Sequence, residues 1–317
     1  MARIVVALGG NALSKAGEKG TWDEAVQNMR SVTKPLTEIL GRGDELLVTH
    51  GNGPQVGSLL IQQELAKSQV SPLPMSALGA MTEGWIGLLI SGVLTTAIEA
   101  EGLGHSVVPI VTRSLVSSRD PSFRHPSKPV GPYYSENEAR LLKKQHGWVM
   151  GNDVRRGGWR RLVPSPIPID VIEGPVLRRL YTAGMGVSTV FVAGGGGGVP
   201  VVRRRNGALE EVDAVIDKDR TAALLASIIR AETLAIVTDV SHALIGFHSA
   251  REEPLGRVSA DQLSRHLAHG EFGEGSMRPK VEAALQFLSH GGKRAIITDA
   301  YGLPQALKGK RGTVVEN

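Results

Sequence analysis

Three glycine-rich turns, each directly behind a short apolar run, restrict most tightly how this chain can fold. Leu8-Gly9-Gly10-Asn11 follows Arg3–Leu8, and His50-Gly51-Asn52-Gly53-Pro54 follows Glu45–His50. Ala193 with Gly194 to Gly198 follows Val187–Ala193. Further strand-like runs are Ser106–Thr112, Leu234–Thr238 and Arg294–Thr298. Helical periodicity predicts helices over Thr21–Leu40, Gln55–Lys67, Gly79–Ala100, Lys218–Ala231, Ala260–His269 and Pro279–His290. Thr21 and Glu24 have capping-box spacing, and Pro35 should kink the helix they start. Short apolar strands alternating with helices imply an α/β fold, with a mainly parallel sheet covered on both faces. In such sheets ligands bind outside the carboxyl ends of the strands. Gly lets a backbone approach an anion, and helix N-termini attract negative charge. Three such turns on one edge therefore predict a phosphate-rich ligand, or two ligands meeting.

One segment breaks the alternation. Residues 117–168 hold seven prolines, from Pro121 to Pro168, yet also Trp148, Val149, Trp159, Leu162 and Val163. That apolar content predicts an inserted subdomain of small strands and loops, not a linker. The rest reads as one domain spanning 1–317.

Composition removes several function classes. With no cysteine in 317 residues, disulfides, thiolate metal sites and cysteine nucleophiles are impossible. The start, Met1-Ala2-Arg3, lacks the features of a signal peptide, and the weakly charged stretch Gly84–Ile98 is short for a membrane span. A cytoplasmic protein with no membrane partner is expected. The net charge is +5, with basic clusters at Arg155-Arg156, Arg160-Arg161 and Arg203-Arg204-Arg205. They lack interleaved aromatics apart from Trp159, so no nucleic-acid partner is expected. His266 and His269 lie one helical turn apart near Glu271, but no third ligand has metal-site spacing.

Neither G-x-x-x-x-G-K-[ST] nor G-x-G-x-x-G occurs, which excludes a P-loop and weakens a dinucleotide reading. Cations stand at predicted helix starts instead. Lys218 lies between Asp217 and Asp219, and Lys280 ends Gly275-Ser276-Met277-Arg278-Pro279-Lys280. A lysine is unfavourable with the dipole at a helix start, which favours function. For Asp217-Lys218-Asp219 a capped helix with a surface ion pair remains an equal reading. Lys128, in Ser127-Lys128-Pro129, would alone be a surface lysine.

These stretches together resemble the carbamate kinases of the amino-acid kinase family. The resemblance is carried by Val5 to Leu13, Thr49 to Gly57, Lys128 to Pro132, Gly158 to Pro166, Gly194 to Val202, Ala214 to Asp219 and Gly275 to Lys280, in family order. It implies an open αβα sandwich, usually a homodimer, whose inserted subdomain acts as a lid. It also implies phosphoryl transfer between carbamoyl phosphate and ADP, giving ATP and carbamate. Gly9, Gly10, Asn11, Gly51, Asn52 and Gly53 would hold the phosphoryl and carbamate. Gly195, Gly196, Asp217, Thr238, Asp239, Val240 and Met277 would serve the nucleotide, in a C-terminal half over residues 187–317. Lys128, Lys218 and Lys280 would neutralise the transferring oxygens and Asp219 would orient the lysines, with Mg²⁺ arriving on the nucleotide. The chain departs from the family pattern at Ser241, after Thr238-Asp239-Val240, and at Glu83, where Gln is common. A kinase of another small acid, or a non-catalytic regulatory homologue, are the alternatives.

Overall fold

The alternation of the first strand decides the layering. In β1 (Arg3–Leu8), Val5 and Ala7 face one core while Ile4, Val6 and Leu8 face another. After β1 the chain forms α1 (Trp22–Gly41), β2 (Glu45–His50), α2 (Gly53–Ala66), α3 (Met75–Ala100), β3 (Ser106–Pro109) and β4 (Arg113–Val116). An excursion follows with β5 (Lys128–Tyr134), α4 (Glu136–His146), β6 (Val149–Asp153) and β7 (Gly158–Val163). The chain returns through β8 (Pro168–Val171), α5 (Gly174–Thr182), β9 (Thr189–Val192), β10 (Val199–Arg203), β11 (Leu209–Glu211), α6 (Lys218–Ile228) and β12 (Thr233–Thr238). The last stretch holds a small hairpin of β13 (Leu244–Ile245) and β14 (Glu253–Pro254), then β15 (Arg257–Ser259), α7 (Ala260–Ala268), α8 (Met277–Ser289), β16 (Arg294–Asp299), α9 (Leu303–Leu307) and β17 (Thr313–Glu316). This computed structural model describes all residues apart from 16, 154–156, 247–251 and 274–276, and apart from the side chains of Asn11 and Asp153. Arg155, Arg156, Gly275 and Ser276 therefore lie outside the described residues.

The main sheet has eight strands in the order β15-β17-β16-β12-β1-β2-β9-β3. Its six strands from β16 to β3 run parallel, and β17 is antiparallel to β16. Helices α1, α3 and α9 cover one face, and α5 to α8 the other. Thr21 and Glu24 close the capping box that starts α1, and α1 continues through Pro35. Ser135 and Glu138 cap α4 in the same way.

A second sheet, β11-β10-β4-β8, lies beside the main one. The antiparallel pair β4–β8 is the base from which the excursion leaves and returns. The excursion itself is an antiparallel sheet, β5-β7-β6, with α4. Val130 and Val163 tie it to the body by packing with Met75, Leu60 and Val215. Helix α3 has the length and apolar composition to cross a membrane. It is instead a core helix, because Leu78, Ile86, Ile90, Leu94 and Ile98 are buried inside the protein.

Candidate active site

The expected turns converge at the carboxyl ends of β12, β1, β2 and β9, in the middle of the sheet. The Gly9 N–H donates to the Val237 carbonyl at 2.8 Å, and the Gly51 N–H to the Leu8 carbonyl at 3.0 Å. A side chain on Gly9 would meet the Val237 oxygen at 2.8 Å, so β1 and β12 can approach this closely only with glycine there. Asn11 lies in the short 3₁₀ turn Gly10–Ala12. Asn52 precedes α2 without capping it; its amide donates to Thr82 Oγ1 at 2.9 Å. Gly53 is the first residue of α2, one position ahead of Pro54.

The run Gly194–Gly198 crosses from the main sheet to the second one. Gly194, Gly196, Gly197 and Gly198 all have φ between 61° and 93°, which bars ordinary side chains. Three hydroxyls pin the turn: Thr49 donates to the Gly194 carbonyl, and Ser114 and Thr221 both donate to the Gly197 carbonyl. A side chain on Gly195 would strike His50 Nε2 at 2.4 Å, and one on Gly196 would strike Asn52 at 2.1 Å. The Gly195–Gly196 pair thus sits directly against the end of β2.

The cationic residues meet in the same place. Lys218 and Lys280 hold opposite oxygens of one carboxylate: Lys218 bonds Asp219 Oδ1, and Lys280 lies 3.1 Å from Oδ2. Asp219 is only 2% exposed. Burial alone would raise its pKa, but the two ammonium groups outweigh that and hold it below the usual carboxylate range. Two cations on one anion leave the cluster net positive. The Lys218 stem reaches across to the first half of the chain, with Cδ 3.5 Å from where a Gly51 side chain would begin and Gly10 N 3.4 Å from the same point. Asp217 caps α6 through the Asp219 N–H, and Lys128 reaches it from β5 at 3.7 Å.

Thr238, Asp239, Val240, Met277 and Lys280 line one cavity of about 170 Å³ beside this cluster. A second, of about 280 Å³, lies across Asp239 towards Gly9 and Asp299. A larger cavity, about 640 Å³, is elsewhere, between the excursion and α2, and touches none of the three lysines. Among the described residues no group of three or more His, Asp or Glu could hold a metal ion. The donors at the lysine cluster suit phosphate oxygens, not a resident metal.

The amino acid kinase family model matches residues 2–299. The chain belongs to that family. Within it, the chain is 44% identical over 315 residues to carbamate kinase of Pyrococcus horikoshii, covering 99% of this chain and 98% of that protein. It is 40% identical over 320 residues to carbamate kinase 3 of Staphylococcus aureus, covering all of both. Carbamate kinase from Giardia lamblia, in a structure bound to AMP-PNP, superposes with a TM-score of 0.91 at 35% identity, over 99% of this chain and 98% of that one.

In this amino acid kinase fold the turns and the lysines are legible in the sequence, but what stiffens them is not. Thr112 is completely buried; its hydroxyl accepts from the Gly194 N–H at 3.0 Å and donates to Glu83 Oε2 at 2.9 Å. The Thr112 N–H donates to the same oxygen at 3.1 Å. Burial, partly offset by these bonds, pushes Glu83 up to about 8. His50, also buried, is pushed down to about 4 by burial. Only the departure at Glu83 hinted at this layer.

Proposed function

We infer that this protein transfers a phosphoryl group between carbamoyl phosphate and ADP, forming ATP and carbamate. The observation that carries this is the Lys218–Asp219–Lys280 cluster lying against Gly10 and Gly51, with full-length carbamate kinase relatives in support. Phosphoryl transfer needs positioning and charge neutralisation more than a protein nucleophile. An ADP β-phosphate oxygen attacks phosphorus in line, the bond from phosphorus to the carbamoyl oxygen breaks, and carbamate leaves with that electron pair. No phosphoenzyme forms.

Backbone N–H groups of Gly10, Asn11 and Gly53, with the Asn52 amide, bind the carbamate and phosphoryl side, and Gly9 and Gly51, whose own N–H groups are used between strands, let that ligand come close. Gly195 and Gly196 approach the phosphates from β9. Lys218 and Lys280 neutralise the transferring oxygens, and Asp219 fixes both ammonium groups before substrate arrives. Asp217 restrains Lys128, which the excursion carries to the site as a lid would. Thr238, Asp239, Val240 and Met277 form the nucleotide cleft. Mg²⁺ enters as part of the nucleotide substrate and spreads the charge on its phosphates.

The protein acts in the cytoplasm as a homodimer. The exposed apolar side chains Met81 and Leu88 on α3, a helix otherwise buried along one face, give a second copy a surface to cover. The test of function is a coupled assay. ATP should appear from ADP and carbamoyl phosphate, and its absence would overturn the reading. A finer test divides the site. Asn52→Leu should weaken carbamoyl phosphate binding by about 1.5–3 kcal/mol, the worth of a hydrogen bond to a charged group. ADP affinity should barely change, and calorimetry on one preparation reads both.

A further inference from the structure

Glu83 is 4% exposed and lies behind the glycine turn, on α3. Its Oε2 accepts from both the N–H and the hydroxyl of Thr112, and that hydroxyl in turn accepts from the Gly194 N–H. Its Oε1 is buried and, among the described residues, has no hydrogen-bond partner. Among the described residues, the groups facing it offer no countercharge. From β2 comes His50, whose Nδ1 faces the Gly51 carbonyl at 3.0 Å and so carries the ring proton. Lys218 on α6 further disfavours a charge on His50. From the start of α5 comes Glu173, a second carboxylate, already paired with Arg113. From the turn after β9 comes only the Gly195 backbone N–H.

A buried carboxylate with no cation is unstable against taking up a proton. In the neutral acid, Oε2, which accepts two hydrogen bonds, is the carbonyl oxygen, and Oε1 carries the hydrogen. We propose that Glu83 works as a neutral acid, a positioning residue that holds the Gly194–Gly198 turn in its phosphate-accepting shape through Thr112. Losing its proton places an uncompensated negative charge behind that turn and repels the phosphoryl group. The proposal rests on the reading that Gly195 and Gly196 approach the transferring phosphates. The shift of this carboxyl to about 8 puts the change within reach of an ordinary pH titration.

The experiment is a pH profile of kcat and KM for the intact wild-type enzyme, Glu83→Gln and Glu83→Ala, with an infrared titration of the wild type. The infrared difference between pH 7 and pH 9.5 should show one protonated carboxyl disappearing. This reading is made on the wild type and stands even if a variant does not fold. In the wild type kcat/KM for carbamoyl phosphate should fall about tenfold per pH unit above pH 8, the slope of a single ionisation. Glu83→Gln should lose severalfold at pH 7, lack this limb and overtake the wild type above pH 8. Glu83→Ala should not be rescued at any pH. Absence of a protonated carboxyl at pH 7 overturns the proposal. An alkaline limb that persists unchanged in Glu83→Gln also overturns it. The functional reading is judged separately, by ATP formation at pH 7.

Discussion

Lys218→Ala and Lys280→Ala should each lower turnover by about 10²–10³-fold, the usual loss when one preorganised charge donor is removed from a transferring group. Neither lysine is placed for stability by its helix. Lys218 is the first residue of α6 and Lys280 lies in the first turn of α8, where the dipole disfavours cations. Both are retained against that field by a single carboxylate. Because they share Asp219, the double variant should cost little more than the worse single one, since residues acting as a unit are far from additive. Steady-state assays on variants checked for native circular dichroism decide the matter. Near-normal turnover in either folded protein would remove the cluster from the reaction.

Asp219→Ala should be harmful in two ways at once. It leaves two mostly buried ammonium groups without their anion, and breaking a buried pair by removing one partner costs about 3–5 kcal/mol. Turnover should fall as well, because both donors lose their fixed direction. The stability loss has a definite pH signature. The folded pKa of Asp219 lies below its ordinary value of 3.8. Its contribution is therefore complete above that value and disappears as pH falls through the lower, folded value. Wild type and variant should differ fully in thermal denaturation at pH 6 and converge in strong acid. A gap that stays constant down to pH 2 would mean that packing, not charge, made the difference.

What could be read from residues alone depended on how local the signal was. The glycine turns, Asp217-Lys218-Asp219 and the capped start at Thr21 are local patterns, and the structure puts the first two together at one sheet edge. Other elements carried too little signal. In α4 only Ala139 and Leu142 are buried, so a charged, amphipathic helix leaves little signal inside a proline-rich segment expected to hold small strands and loops. The expected strand Ser106–Thr112 ends at Pro109, where the chain leaves the main sheet for the second one. The second sheet depends on the pairings of β4 with β8 and with β10, which join residues far apart in the chain. β17 is four residues long and follows a glycine turn. The partners Glu83 and Thr112 lie 29 residues apart, and no periodicity links them.

The pairing of β1 also governs when this enzyme can exist during its own synthesis. Ile4 is in register with Leu46 on one side and with Thr233 on the other. The first contact can form early, but the second must wait for more than two-thirds of the chain. Nascent chains gain structure from the N-terminus as they emerge. Here, though, the sheet edge at the candidate site is closed by β12, and Lys280 lies later still. Pairings of this span are slow to form, because loop closure comes before any contact rewards it. A ribosome-bound fragment could bury the β1–β2 layer against α1 and still lack a complete phosphoryl-transfer centre. Activity therefore begins only when the last quarter of the chain is available to fold, and premature termination before it yields no partly working enzyme.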